Sequence, residues 1–460
     1  MNRRILFVVL VAVIAMAAAC SKIETINAPV LTSGSANFSV YAAIGTSLSA
    51  GSQSGGGIVY RHQLRSFTAD FATQARTTFT LPTISDFGFN QLWTLTSLSP
   101  LVICTDCRTN GTPTNLDQAT PYNNMAVPGA ILVDVADSTL YYNAAARGAL
   151  QVQRFDWIVR HRGTILTEVL ALHPTFVTFE IGSNEVLGPA TQGSGTPILS
   201  GATYAGGLHL ILAGLAAGAP SAKLALINVP DVTTVPFCTT IKPWVVNPAT
   251  GRPVLDNLGH RIPLIGTSGP LDPNDLVLLT AAASLAQGIG IPTALGGTGL
   301  PLPDSQVLSV AEAASLQATV SAYNAAIATE ATARGAALVD LNGLLKRVAT
   351  TGIVYQGTRY TNAFITGGLF SLDGFHPNDF AHGLIANLII DAVNAKFGAT
   401  VPHVNLSEVA SATASSMRPG AKPTPMQSGG AWPMIQNAAE AYRAIAPVPA
   451  VGALQGARMP

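Results

Sequence analysis

Apolar positions along this chain gather into short dense runs, each ended by a small or polar residue. Val40-Tyr41-Ala42-Ala43-Ile44 is the first such run. Its lack of alternation reads as a buried strand, and Gly45 then opens a sharp turn that leaves Ser47 at the strand's end. Thr175 to Ile181, rich in β-branched and aromatic residues, reads as a second strand and runs straight into Gly182-Ser183-Asn184-Glu185. Lys223 to Val229 and Ala337 to Leu341 read as two more. Helical spacing predicts helices over 163–172, 203–217 and 307–334, and a last one from Asn378 to Phe397 that stops at Gly398, a good C-terminal cap. Strands alternating with helices predict an α/β protein whose parallel sheet is covered on both faces. Ligands bind such sheets in the loops at the strands' carboxyl ends. Ser47 and Asn184 each follow a strand directly.

The pattern breaks in four places. Residues 51–57 form a Gly/Ser loop, followed by a weakly patterned stretch to about Gln74. Residues 76–121 hold many Thr, Pro, Asn and Gly and read as a surface excursion. Order returns at Asn123 to Ala130, which leads into Ile131-Leu132-Val133. Residues 237–305 read as a long insertion, and from 399 to 460 the chain becomes a Pro/Ala-rich tail. The patterned domain is thus expected over 40–398. No internal repeat is visible.

Composition narrows the class. Charged residues make up 10% of the 460, hydrophobic ones 48%, and the formal net charge is zero. That is a globular, loop-rich composition with an apolar lean. No Lys/Arg cluster occurs that could track phosphates, so nucleic acid is not an expected partner.

The first residues read as a targeting segment. Arg3 and Arg4 form a positive start, Ile5 to Ala15 an apolar run too short to span a bilayer comfortably, and Ala17-Ala18-Ala19 supplies small residues before Cys20. This resembles a bacterial lipoprotein signal, with 1–19 removed, Cys20 acylated and 20–39 serving as a tether. Ala17 stands where such signals usually carry Leu, and ordinary cleavage after Ala-x-Ala is the alternative. Either way the mature chain is expected in the cell envelope, lipid-anchored in the outer membrane, or secreted. Cys104 and Cys107 have redox-motif spacing, but without a helix signal after them a small disulfide-closed loop is the expectation. Whether Cys238 is paired is left open.

One further motif carries chemistry: Asp373-Gly374-Phe375-His376-Pro377. A serine is a weak nucleophile until a base takes its proton, and a distant Asp-x-x-His pair could supply that base to Ser47. A second such pair, Asp379-Phe380-Ala381-His382, competes with it. Pro377 keeps His376 out of the α region and in a loop, whereas His382 falls inside the predicted helix, where a carboxylate three residues earlier reads as a helix-face pair. His173, before Pro174, reads as a helix-end cap. No Gly-x-Ser-x-Gly elbow occurs, nor any His-Glu-x-x-His metal spacing.

Four blocks in order resemble the GDSL-type hydrolases, the SGNH superfamily. Gly45 to Gly51 resembles the nucleophile block and Asn124 to Gly129 the first oxyanion block. Gly182-Ser183-Asn184-Glu185 resembles the second oxyanion block, and Asp373-x-x-His376-Pro377 the last. The resemblance implies a three-layer α/β/α fold with a mostly parallel, flavodoxin-like sheet. It implies Ser47, His376 and Asp373 as a catalytic triad, with Ser47 N–H, Gly129 N–H and the Asn184 side chain as the oxyanion hole. It implies an ester substrate, small-molecule or lipid, and neither cofactor nor metal. Thr46 and Glu185 depart from the family, which usually carries Asp at both positions. The apolar insertions favour a greasy acyl group over a sugar acetate. An acyltransferase on the same site, or a non-catalytic envelope lipoprotein that keeps the fold, remain the alternatives. The sequence carries no signal of oligomeric state.

Overall fold

The computed structural model describes residues 31–98, 101–248 and 250–409. The targeting segment, Cys20 and the tail from 410 onward lie outside these described residues.

Five strands form the central sheet: β1 (Tyr41–Gly45), β2 (Asn124–Ala126), β3 (Phe176–Phe179), β4 (Lys223–Ile227) and β5 (Ala337–Val339). Their spatial order is β2-β1-β3-β4-β5, and every neighbouring pair runs parallel. This is the flavodoxin-like order, whose switch point lies between β1 and β3. Among the helices of the described residues are α1 (Ser47–Ala50), α2 (Phe67–Gln74), α3 (Ala149–Ile158), α4 (Ile165–Ala171), α5 (Ser183–Ala190), α6 (Gly201–Gly218), α7 (Val310–Ala333), α8 (Leu341–Thr350) and α9 (Asp379–Phe397).

Strand alternation sorts the core into two layers. Ala42, Ile44, Val177, Leu224 and Leu226 pack with Leu208, Ile211 and Leu215 of α6 and Leu316 and Val320 of α7. Tyr41, Ala43, Phe176, Ala225 and Val339 pack with Phe67 and Phe71 of α2 and Ile385, Ile389 and Val393 of α9. Both faces are therefore dry, and the strands read as continuous apolar runs instead of alternating ones. Each large side chain buried in this way stabilises by about 1.5–3 kcal/mol, so a charge at Ile389 would break the α9 layer.

Helix ends follow their capping residues. Ser309 and Glu312 form a capping box at the start of α7, Asn378 accepts from the Ala381 N–H at the start of α9, and Gly398 closes α9 at φ +67°. Leu341 opens a helix, where the sequence pattern suggested the end of a strand. Helices α2, α3 and α8 were not anticipated at all. The packed unit also extends past 40–398: Phe38 and Val404 are buried, and Thr400 N–H donates to the Thr32 carbonyl.

In the 76–121 excursion, Thr94–Leu98 pairs antiparallel with Leu101–Cys104, and a Cys104–Cys107 disulfide closes the loop that follows. The 237–305 insertion holds only short pieces of structure. Cys238 is a free, buried thiol, pushed up to about 12 by burial. Among the described residues no helix is long and apolar enough to cross a membrane.

Candidate active site

Ser47 stands at the carboxyl end of β1, at the switch point. Thr46 is the extended N-cap of α1, its Oγ1 accepting from the Leu48 N–H at 3.4 Å. Gly45 serves here through space, not through a left-handed turn: it has no positive φ, and a Cβ on it would come within 2.1 Å of Ser49 Oγ. Sequence reasoning missed the residue that organises this turn, Glu180, which follows β3. Its buried carboxyl accepts from Thr46 N–H (3.0 Å), Thr46 Oγ1 (2.9 Å) and Ser49 Oγ (3.0 Å), with Ser183 Oγ at 3.4 Å. Burial raises its pKa despite these donors. Ser49 is thereby engaged, while Ser47 is left as the serine of the turn that lines a cleft.

Asp373 and His376 occupy the loop before α9. His376 Nδ1 lies 2.8 Å from Asp373 Oδ2, and both residues are buried. Asp373 Oδ2 also accepts from the N–H groups of Gly55 (2.8 Å) and Gly56 (3.3 Å), whose φ values of +98° and +70° turn both amides toward it. Its Oδ1 accepts from Ser371 Oγ, Phe375 N–H and His376 N–H. Burial would raise the Asp373 pKa, but the His376 ring and these hydrogen bonds outweigh it and hold the carboxyl below its usual range. The other ring nitrogen, His376 Nε2, is buried with no partner among the described residues.

The competing Asp379/His382 pair does not form. Asp379 Oδ1 lies 2.8 Å from His62 Nδ1 and also takes Gln53 Nε2, while both ring nitrogens of His382 lack hydrogen-bond partners among the described residues. The reason is tertiary: His62, 317 residues earlier, reaches Asp379 in place of the helix neighbour. Burial lowers the His382 pKa to about 3, and its ring lies 5.9 Å from that of Phe67. His173 is exposed at φ +51° just past α4.

Asn184 is tied to the residue after Gly129 by one hydrogen bond. Asn184, second residue of α5, donates Nδ2–H to the Ala130 carbonyl at 2.7 Å, and Val127 N–H donates to the Gly45 carbonyl at 3.0 Å. The 126–130 loop is thus held against both switch-point strands. Neither Gly129 N–H nor Ser47 N–H has an acceptor among the described residues. Glu185, next to Asn184, is fully buried and takes the Leu132 N–H at 2.6 Å. Burial raises its pKa to about 8.

Ser47, Asn184 and His376 line one cleft of about 800 Å³, its open mouth included. Gly129 is not among its lining residues. The walls are carbon: Leu341, Leu344, Leu345 and Val348 of α8, Leu384 and Ile385 of α9, with Val232, Val235 and Leu187. No residue of the 237–305 insertion lines it, so the apolar surface comes from α8 and α9 and not from the insertion that the composition suggested.

A parallel sheet in flavodoxin order, covered by helices on both faces, with a serine at its switch point and a buried Asp–His pair whose histidine lines the same cleft, makes this a three-layer α/β/α protein with a candidate nucleophile and base. The chain belongs to the GDSL-like lipase/acylhydrolase family, whose model matches residues 41–389, and it is a hydrolase acting on ester bonds. Its structure is similar to phospholipase A1 from Streptomyces albidoflavus NA297, with 13% identity, TM-score 0.32 and 77% of this chain and 98% of that chain covered. It is likewise similar to an extracellular lipase from Streptomyces rimosus, with 12% identity, TM-score 0.33 and the same coverages of 77% and 98%. No curated protein sequence matches the chain.

Proposed function

We propose that the protein is a serine esterase or lipase that cleaves carboxylic esters of apolar acids through an acyl-enzyme on Ser47. His376 Nε2 takes the Ser47 hydroxyl proton as Oγ attacks the acyl carbonyl, and then gives that proton to the leaving alcohol. Water repeats the sequence on the acyl-serine, its proton passing through His376 to Ser47 Oγ as the acid departs. Asp373 keeps the Nδ1 proton in place and favours the imidazolium that forms. The N–H groups of Ser47 and Gly129 and the second Nδ2–H of Asn184 receive the oxyanion. Loss of one such donor costs on the order of 10²–10³ in kcat.

One observation carries this reading: Ser47, Asn184 and His376 line a single cleft, and His376 has one nitrogen held by Asp373 and the other unpartnered. The absence of Asp, Glu, Lys and Arg from that lining favours a fatty acyl group over a charged or sugar-like one. A fluorophosphonate, which traps an activated serine as a tetrahedral adduct, tests it. Labelling should fall on Ser47 and vanish in Ser47→Ala. Labelling elsewhere, or none in folded protein, would end the proposal.

The sequence of Arg3 to Cys20 supports a lipid-anchored form in the cell envelope, with diacylglycerol on Cys20. Mass spectrometry of the mature N-terminus decides that point, and an unmodified Cys20 refutes it.

A further inference from the structure

We propose that Gln151 and Arg154, on helix α3, position the Gly129 N–H for its role in the oxyanion hole. The inference rests on the reading of Gly129 as an oxyanion donor. The two side chains lie one turn apart on the same face of α3, and both residues are 1% exposed. Arg154 Nη1 donates to Gln151 Oε1 at 3.1 Å, and Gln151 Nε2 donates to the Pro128 carbonyl at 2.9 Å. A carboxamide can turn either end to a neighbour, but a guanidinium offers donors only. Arg154 therefore forces the Gln151 oxygen toward itself and the amide N–H toward Pro128.

The Pro128 carbonyl and the Gly129 N–H are opposite ends of one planar peptide unit. A donor fixed on the carbonyl sets the plane, and with it the direction in which the N–H points. Accepting a hydrogen bond also polarises the amide and makes its N–H a better donor. Gly129 sits at φ +81°, and a Cβ there would fall 2.5 Å from Gln151 Oε1, so the Gln151 side chain packs directly on this turn. The same turn carries the Ala130 carbonyl that takes Asn184 Nδ2–H. Both side-chain restraints thus converge on one short loop, Gln151 on its Pro128 side and Asn184 on its Ala130 side.

Stability alone gives a poor account of Arg154. Its Nε and Nη2 have no partner among the described residues, and its hydrogen-bonded partner is a neutral amide. A buried cation so weakly compensated is costly, and an apolar residue of similar volume would pack there at less expense. What the guanidinium supplies in return is a fixed orientation for Gln151 and positive charge behind the turn on which negative charge develops.

The test is Gln151→Glu in the full chain. Glutamate keeps the shape and pairs with Arg154, so the buried charge stays compensated, but it has no N–H for the Pro128 carbonyl. With p-nitrophenyl esters, kcat should fall about tenfold or more while KM stays within about twofold, since the lost interaction belongs to the transition state. The rate of fluorophosphonate labelling should fall in parallel. Arg154→Lys, which keeps a donor for Gln151, should retain most of the activity that Arg154→Met loses.

Asn184→Ala separates this proposal from the reading beneath it. If Asn184→Ala is crippled while folded Gln151→Glu keeps kcat within about twofold, positioning by Gln151 is wrong and the oxyanion hole stands. A rise in KM with kcat unchanged overturns the proposal equally. If both variants turn over normally, the oxyanion assignment falls and takes this inference with it. Should Gln151→Glu fail to fold, the volume-matched pair Gln151→Leu with Arg154→Met removes both polar groups together. The same kcat criterion then decides.

Discussion

The backbone N–H and the hydroxyl of Thr46 both donate to Glu180, at 3.0 and 2.9 Å, across 134 residues of sequence. This double contact ties the serine's turn to the neighbouring strand end, and it bears on the family's usual Asp at position 46. Here the carboxylate comes from β3 and the hydroxyl from the turn. Thr46→Asp, although it restores the family residue, should set two carboxyls against each other in a dry site. It should cost a few kcal/mol of stability and most of the activity. Urea unfolding and ester turnover check this. Thr46→Asp combined with Glu180→Thr, which exchanges the partners, should recover part of both, and a fully active single Thr46→Asp would refute the account.

Glu180→Gln isolates the acceptor role. The carboxyl takes three hydrogen bonds from Thr46 and Ser49 on Oε2, with Thr46 Oγ1 (3.1 Å) and Ser183 Oγ (3.4 Å) on Oε1, whereas an amide that keeps its oxygen in the Oε2 place turns N–H groups toward those last two hydroxyls. Each donor left unpaired in this buried turn costs about 1–3 kcal/mol. The expected outcome is a lower melting temperature together with slower fluorophosphonate labelling of Ser47. Unchanged labelling in a destabilised protein would limit Glu180 to folding.

Of the two Asp-x-x-His pairs, the rate should depend on the first alone. His376→Ala should abolish hydrolysis. Asp373→Asn should lower kcat by on the order of 10⁴, because an amide has one acceptor oxygen and cannot take the His376 Nδ1–H on one side and the Phe375 and His376 N–H groups on the other. His382→Ala should instead leave kcat near normal and lower stability, since it hollows out a buried site beside Phe67. A folded His382→Ala without activity would reverse the assignment.

Glu185 predicts a pH dependence of stability. Its carboxyl is raised by burial to about 8 in the folded protein, against 4.5 as its ordinary value. The unfolded chain releases this proton first, so the stabilisation is complete below about pH 4.5 and is lost as pH rises through 8. Asp70 and Asp134 are raised by burial only to about 6, so among these carboxyls the interval from 6 to 8 belongs to Glu185. The unfolding free energy from urea titrations should fall across that interval, by up to about 1.4 kcal/mol per pH unit. Glu185→Gln should flatten the fall, and an equal slope in wild type and variant would show that another group titrates.

What the sequence disclosed depended on whether a residue's role lies in its own side chain and close neighbours. Dry strands such as Val40 to Ile44 announce themselves because burial on both faces leaves no polar position to interrupt them. His376 was legible because Pro377 fixes its local conformation. Gly55 and Gly56 were not, since they act through backbone N–H groups that leave no side-chain signature. Glu180 read as the polar end of a strand, and Gln151 and Arg154 fell in a stretch with no assigned element, because their partners arrive only with the fold. Helix α8 could have been found: Leu341, Leu344, Leu345 and Val348 keep helical spacing behind Asp340, whose carboxylate takes the Gly343 N–H. The assignment of Leu341 to a strand hid it.

Those four residues of α8 also make the last prediction. Together with Leu384 and Ile385 of α9 they line the cleft that Ser47 and His376 also line, so an acyl chain esterified at Ser47 is expected to lie against these two helices. Each methylene buried there contributes about 0.8 kcal/mol, or roughly a fourfold gain in kcat/KM, until the cleft is filled. Wild-type kcat/KM should therefore climb from p-nitrophenyl acetate through butyrate and octanoate before levelling off. Leu345→Trp fills the space without touching Ser47, Asp373 or His376, so acetate hydrolysis should survive while the climb stops at a shorter chain. Val348→Ala should extend the climb. Equal rates for acetate and octanoate in the wild type, or a Trp variant with an unaltered profile, would mean that the acyl chain does not lie against α8 and α9.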